Sequence, residues 1–301
     1  MKFFKIFLAI LFIVCNSELY SQDIDYINNR LSAVSTNDKV FYNIDGVNFT
    51  SQILYEHLYT EKGLQKAYRK FSIKDDDIKI KDDSLGVTNI YIHKREKIGD
   101  DLISYTSFYF VPNDNNQIMA IGFNSLNKYD KSFERDFAQM IIKNEIPRES
   151  FTPMTIDSIN FAGRKIKLSN ACKWTNINTV QCPYHGEMNW SVHKDFDDAK
   201  STVLNQLLLT KNGKGVKVVS EEIKDIIFEE KPTKAQKIVY DITGINSLLA
   251  GMSGGKTLTA YYVAEKVRDN YVSCVLSFWN NDEIKESGLP LLLEQVMKLQ
   301  K

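Results

Sequence analysis

The stretch LISYTSFYFVPNDNNQIMAIGFNSLNKYDKSFERDFAQMIIKNEIPRESF, residues 102–151, contains the pattern that decides the fold. Apolar residues alternate on both sides of the polar turn PNDNN, which predicts two antiparallel strands. Apolar residues then recur at helical spacing, at Phe133, Phe137, Met140 and Ile141. The segment therefore predicts a hairpin followed by an amphipathic helix that packs on it.

The end of the chain repeats this order over residues 257–301, TLTAYYVAEKVRDNYVSCVLSFWNNDEIKESGLPLLLEQVMKLQK. Two alternating strands precede a second helical stripe, which consists of Leu289, Leu293, Val296 and Met297. Pro290 fits the first turn of such a helix. A unit that occurs twice in this way predicts an internal repeat and two related halves.

The segments before each hairpin fit two halves. Residues 53–71 have a helix-like pattern and residues 87–93 a strand pattern. In the second half, a helical stripe is followed by extended segments at 216–219 and 237–243; the stripe consists of Phe196, Ala199, Val203 and Leu207. Prolines at 147 and 153 mark a boundary between them.

We therefore predict an α+β fold of two related halves, 23–150 and 151–301, each an antiparallel sheet packed with helices. In its order of strands and helices, each half loosely resembles the Mog1 and PsbP-like α/β/α sandwich proteins. That resemblance matches no diagnostic motif. It therefore implies an architecture and no activity, because one fold can serve many functions.

The first residues have the pattern of a secretory signal peptide. Lys2 and Lys5 precede the apolar run IFLAILFIVC, residues 6–15, and small residues follow at Ser17 and Ser21. A membrane-spanning helix needs about 20 apolar residues, and no other run in the chain compares with this one. We predict removal of residues 1–22 and a periplasmic or secreted protein; an uncleaved membrane anchor is the alternative.

Cys15 raises the question of a lipid-modified N-terminus. A lipoprotein signal resembles a small residue directly before the cysteine, and Val14 occupies that position here. We therefore do not predict lipidation.

The charge of the chain is balanced, with 38 basic and 38 acidic residues. Removing Lys2, Lys5 and Glu18 leaves 36 basic and 37 acidic residues. No overall field attracts nucleic acid or an anionic membrane. We predict neither as a partner.

Three cysteines remain after export into an oxidising compartment. Cys172 and Cys182 flank the polar stretch at 176–178, as in a hairpin whose two arms are joined by a disulfide. Cys274 alternates with Val272, Leu276 and Phe278, which predicts a buried thiol on a strand.

GMSGGKT, residues 251–257, ends like a phosphate-binding loop. That motif requires a glycine five positions before its last glycine, and Ala250 stands there. Residues 258–263 predict a strand, whereas a phosphate loop must lead into a helix. We therefore predict a glycine loop, no nucleotide and no cofactor.

Cys172, Cys182, His185 and His193, with Glu187 and Asp195 nearby, could in principle hold zinc. Their spacing does not match the paired ligands of structural zinc sites, and we predict no metal. No serine lies in a nucleophile-elbow motif. The sequence thus favours a protein without catalytic activity.

Aromatic residues cluster between 170 and 195 and can form either core or a recognition patch. The candidate binding surface consists of Trp174, Tyr184, His185, Trp190, His193 and Asp195. We predict a non-catalytic binding protein for a protein, a peptide or an envelope component; a toxin-neutralising inhibitor is the narrower version. The alternative is a secreted hydrolase or metal-dependent enzyme that uses His185 and His193.

Overall fold

The structure, a computed structural model, describes Ile27 and residues 30–169, 171–243 and 255–300. The predicted signal peptide, with Cys15, and residues 251–254 of the glycine loop lie outside this part of the chain. Within it, no helix is long and apolar enough to cross a membrane.

The first sheet is wholly antiparallel and has seven strands in the order β1-β2-β3-β7-β6-β5-β4. The strands are β1 (Ser32–Ser35), β2 (Lys39–Ile44), β3 (Val47–Leu58), β4 (Lys79–Ile80), β5 (Ile90–Lys97), β6 (Ile103–Pro112) and β7 (Gln117–Leu126). Strands β6 and β7 are the predicted hairpin of residues 102–123, which is confirmed.

One helix packs on each face of this sheet. Helix α1 (Glu61–Lys70) covers Leu54, Ile92 and Phe110, and α2 (Lys131–Ile142) covers Phe49 and Tyr109 on the other face. Asp130 caps α2 by accepting from the Ser132 and Phe133 N–H groups. The predicted helix after the hairpin is confirmed.

The helix predicted over residues 53–71 is only partly right, because β3 continues to Leu58 and α1 begins at Glu61. Leu54 pairs with Ile118 of β7 and is buried in the core under α1. Pairing of this part of β3 with β7 therefore outweighs the helical spacing of the apolar residues.

The second sheet is also antiparallel and has eight strands in the order β10-β11-β12-β16-β15-β14-β13-β17. The strands are β10 (Lys173–Asn176), β11 (Thr179–Cys182), β12 (Gly186–His193), β13 (Val216–Phe228), β14 (Lys231–Ile242), β15 (Thr257–Val267), β16 (Asn270–Trp279) and β17 (Met297–Leu299). A separate hairpin consists of β8 (Ser158–Phe161) and β9 (Arg164–Lys167).

Helix α3 (Phe196–Lys211) packs on one face of the second sheet, against Ile238, Tyr240 and Tyr262. The other face packs on the β8–β9 hairpin and on the segment from Leu289 to Met297. The helix at 196–211 and the extended segments that follow it are confirmed.

The helix predicted at the end of the chain is wrong in extent. Only Leu291–Glu294, α4, is helical, although Leu289, Leu293, Val296 and Met297 are all buried as the stripe requires. The following residues form β17, which pairs with Ile226–Phe228 at the edge of the sheet. Pairing with that edge satisfies the backbone groups that a longer helix would have satisfied internally.

The two sheets share one strand order. Strands β1 to β7 and strands β10 to β16 each form a meander in which the seventh strand returns to pair with the third. A helix lies between the third and fourth strands in both cases, α1 in one and α3 in the other. Antiparallel sheet dominates and helices are few, so the α+β prediction is confirmed in its broad form.

Candidate functional site

A cleft of about 570 Å³ lies where the two sheets meet. The first half contributes the start of β1, the end of β2 and residues 149–152. The second half contributes the β8–β9 turn, β10, the end of β12 and the β15–β16 turn. The polar and aromatic side chains that line the cleft include Arg30, Asn43, Ser150, Asn160, Trp174, Asn178, Trp190, Ser191, His193, Lys194 and Arg268.

The floor of the cleft is a hydrogen-bonded chain of short polar side chains. Ser191 Oγ donates to Asn43 Oδ1 at 3.0 Å and accepts from Asn178 Nδ2 at 2.8 Å. All three residues are buried, and the Ser191–Asn43 bond joins the two halves. The three side chains of this floor are therefore hydrogen-bonded within the protein, as buried polar groups usually are.

His193 occupies one end of the floor, at the end of β12. Its Nε2 lies 2.8 Å from Ser273 Oγ, and both side chains are almost inaccessible to solvent. Burial lowers the pKa of His193 to about 4, although the carboxylates of Asp198 and Asp195 oppose this effect. The imidazole is therefore neutral at physiological pH.

Two buried polar atoms in the cleft wall have no hydrogen-bond partner among the described residues. They are His193 Nδ1 and Ser150 Oγ, and the side chains that carry them are 2% and 4% exposed. A buried polar atom without a partner costs about 1 to 3 kcal/mol. A water molecule inside the protein can offset this cost.

Trp174 and Trp190 form the apolar wall. Their ring centroids are 5.9 Å apart, and the indole N–H of Trp174 donates to the Pro153 carbonyl. The predicted disulfide joins Cys172 and Cys182, which directly precede β10 and end β11. The bridge therefore fixes the strand that carries Trp174 at the edge of the cleft.

Ion pairs and hydrogen bonds stabilise the junction between the two halves beside the cleft. Arg30 Nη1 donates to both carboxylate oxygens of Asp45 at 2.6 and 2.7 Å, and Asp45 also accepts from the Lys194 N–H across the junction. Lys128 of the first half pairs with Asp198 of α3 at 2.9 Å. The Asp45 contact fixes the β2–β3 turn, and the Lys128 contact fixes the segment after β7, against the beginning of α3.

The structure separates the six residues of the predicted surface. Trp174, Trp190 and His193 line the cleft, whereas Tyr184 and His185 lie in the turn at the opposite end of β12. His185 Nδ1 lies 3.9 Å from Glu283 there, and Tyr184 is 63% exposed. Asp195 caps α3 by accepting from the Asp198 N–H.

Sequence reasoning missed most of the cleft floor. Asn43 and Ser191 are 148 residues apart in the chain, and no local pattern connects them. The only available signal was the excess of polar residues in β12, where a strand buried on both faces is expected to be apolar.

A second buried network was also missed. Tyr91 donates to Glu134 Oε2 at 2.8 Å, and both His93 Nδ1 and Tyr91 lie within hydrogen-bonding distance of Ser107 Oγ. Burial raises the pKa of Glu134 to about 7. This network attaches α2 to the first sheet, and a small cavity of about 70 Å³ beside Glu134 reaches Lys194 of the second half.

Other sequence predictions concern metal, nucleotide and thiol chemistry. The described residues contain no group of three or more histidine, cysteine or carboxylate side chains that could hold a metal ion. Thr257 begins β15, so a strand follows the glycine-rich stretch as predicted. Cys274 is a free, fully buried cysteine in β16, also as predicted.

No protein-family model matches the chain, and no curated protein matches it. The crystal structure of the Tle4-Tli4 complex has a chain that aligns with TM-score 0.23 and 8% identity, over 87% of this chain and 90% of that one. DynU16, from the dynemicin biosynthetic locus, aligns with TM-score 0.17 and 8% identity, over 88% and 82%. Scores this low carry no functional argument, and no specific functional family is recognised.

Proposed function

We propose that this chain is an extracytoplasmic, non-catalytic binding protein that holds a segment of a protein or peptide partner in the cleft between its two sheets. The observation that carries the proposal is the cleft itself, which both sheets line with polar side chains and which Trp174 borders with an apolar surface. A concave site with a few fixed polar groups beside an apolar wall is typical of ligand-binding sites in proteins.

The chemistry of the cleft favours a polypeptide. A peptide backbone supplies both donors and acceptors, and Trp174 offers an apolar surface for one side chain. Lys194 and Arg268 are balanced by Glu149 and Asp269. Arg30, which also lines the cleft, is paired with Asp45, so the lining does not select a strongly charged ligand. An uncharged backbone segment fits this balance.

The proposed location outside the cytoplasm rests on two observations of different kinds. The disulfide between Cys172 and Cys182 is of a type that persists in oxidising compartments. The N-terminal sequence pattern predicts export independently of the fold.

One contact favours a second candidate, a hydrolase. His193 Nε2 lies 2.8 Å from Ser273 Oγ, as a base lies beside a nucleophile. Two features count against it: both side chains are buried, and no carboxylate among the described residues bonds Nδ1 to orient the ring. We favour the structural interpretation, in which this bond joins β12 to β16.

The binding proposal is tested by photo-crosslinking in cells that produce the full chain. A photoreactive phenylalanine replaces Asn160, which is exposed at the rim of the cleft, or Asn115, which is exposed in the β6–β7 turn away from it. We expect one protein adduct at position 160 and none at 115. The same adducts at both positions, or none at 160, would contradict the proposal.

A purified partner then allows the cleft to be tested directly. Titration calorimetry should show binding to the wild type that weakens at least tenfold for Trp174→Ala, equivalent to about 1.4 kcal/mol. If the partner is a toxin, producing cells survive it and Trp174→Ala cells do not. A hydrolytic activity lost in both His193→Ala and Ser273→Ala variants that remain folded would favour the second candidate.

A further inference from the structure

Strand β13 is an open edge over most of its length. Strand β17 pairs only with Ile226–Phe228, and no other described strand pairs with the outer side of residues 216–224. Residues 217–223 are all exposed, including the aliphatic side chains of Val218, Val219 and Ile223 at 37%, 55% and 61%. An open edge with exposed aliphatic residues is a template for a further strand.

Strand β17 shows how this edge accepts a strand. It runs antiparallel to β13, and its ladder continues to Asp225, whose carbonyl accepts from the Gln300 N–H at 3.2 Å. Every second residue of a strand has its backbone N–H and C=O groups on the same side. The backbone groups of Glu221 and Ile223 therefore point outward, like those of Asp225. The bulge at Val219 interrupts this alternation. Before the bulge, the residues whose backbone groups point outward are Val216 and Val218.

The open segment is complementary to itself. Two copies can pair antiparallel about a two-fold axis at Ser220. In this arrangement, the residues whose backbone groups point outward lie opposite one another. The Val219 bulges of the two copies then lie beside the axis. The opposed pairs are Val216 with Ile223, Lys217 with Glu222, Val218 with Glu221, and Ser220 with its own copy. The apolar pair of Val216 and Ile223 thus lies at each end of the paired segment. The oppositely charged pair of Lys217 and Glu222 lies next to it.

Charge disfavours the neighbouring register that is centred on Glu221. That shift would oppose Lys217 to Lys224 and Glu221 to itself. Like charges directly opposite each other destabilise a strand pair. The Ser220-centred register also ends at Ile223, before the position that Gln300 already occupies.

We propose that this edge is a homodimer interface, in which β13 of one molecule pairs antiparallel with β13 of a second copy and joins two eight-stranded sheets into one continuous sheet. The interface lies outside the cleft and does not depend on the proposed function. An isologous contact of this kind closes as a dimer, because it uses the β13 edge of both copies.

Sedimentation velocity over a wide range of protein concentration tests the dimer. We expect a monomer–dimer equilibrium for the wild type that is lost in Ile223→Lys, because a charge would replace an apolar pair at both ends of the interface. The matched control is Ile78→Lys, an equally simple change at an aliphatic residue that is 75% exposed in the first half. A wild type that stays monomeric at every concentration overturns the proposal.

Oxidative crosslinking tests the register. Opposed residues of a non-hydrogen-bonded pair have Cα atoms about 4.5 Å apart, within reach of a disulfide. Ser220→Cys should therefore form a covalent dimer under mild oxidation, whereas the exposed control Ser84→Cys should not. Equal crosslinking of the two variants would rule out pairing at Ser220.

Discussion

Glu229 shows what a single buried charge does in this protein. Its carboxylate is 4% exposed and accepts from Arg164 and Arg268, which link the β8–β9 and β15–β16 hairpins to the β13–β14 turn. Glu229→Gln should lower the free energy of unfolding by about 2 kcal/mol, a value reduced for the partial exposure of both arginines. Urea denaturation measures the loss.

The matched control is Glu230→Gln in the same turn. Both residues have positive φ, but Glu230 is exposed. Its replacement should change stability by less than about 0.5 kcal/mol. Equal losses for the two variants would show that the turn itself, and not the buried ion pairs, determines the effect.

His193 makes stability depend on pH. Burial lowers its pKa to about 4 in the folded protein from the ordinary value of 6.5, so the unfolded chain binds more protons between these values. The stability linked to the neutral ring is complete above pH 6.5 and is lost as the pH falls toward 4. His193→Gln removes this dependence, and the wild type should lose about 2 kcal/mol more than the variant between pH 7 and 4.5.

The measurement is the difference in unfolding free energy between wild type and His193→Gln, followed by denaturant titration at each pH. Other titrating groups, Glu134 among them, contribute equally to both proteins and cancel in the difference. Parallel curves over the whole range would mean that His193 is not buried in the neutral form.

Among the elements, the hairpin β10–β11 depends on its disulfide. The loop closed by Cys172 and Cys182 spans ten residues, for which the entropic stabilisation is about 2 to 3 kcal/mol. Replacing both cysteines by alanine should cost this much and release Trp174 from the cleft wall, visible as a red shift of tryptophan emission. Reducing the disulfide in the wild type should give the same red shift, and no shift in either protein would contradict this prediction.

Asp195 stabilises helix α3, although the sequence analysis predicts it as part of a binding surface. Its side chain caps α3 at the Asp198 N–H at 2.8 Å. Asp195→Ala should cost about 1 kcal/mol, while Asp195→Asn keeps most of the cap. Thermal unfolding compares the two; loss of partner binding with full stability in Asp195→Ala would instead restore the sequence-based role.

Hairpins and their local partners could be predicted from sequence because their signals lie within a few residues. The β6–β7 hairpin, helix α3 and the disulfide all have such signals. The end of β3 and the segment after Pro290 were predicted as helix because spacing alone does not show which sheet edge is available for pairing. The cleft floor could not be predicted, since Asn43 and Ser191 meet only after both sheets have formed.

Over the whole molecule, polar contacts connect the two halves. Each of the four hydrophobic clusters belongs to one half, and hydrogen bonds such as Ser191–Asn43 and Lys128–Asp198 connect the halves. We therefore propose that the halves are separate folding domains, as the sequence division at 150 predicts. The boundary should lie a few residues later, because the Thr152 N–H donates to Ala33 of β1.

A fragment of residues 23–155 should consequently unfold cooperatively on its own, because both of its cores are complete and only polar contacts are lost. The matched control is residues 23–145, which lacks Phe151 and Thr152 and leaves the edge of β1 uncovered. Urea denaturation followed by circular dichroism should give a sigmoidal transition for the longer fragment and a lower midpoint for the shorter one. If the longer fragment shows no cooperative unfolding transition, the first sheet does not fold alone. The polar contacts with the second half would then supply free energy that its folding requires.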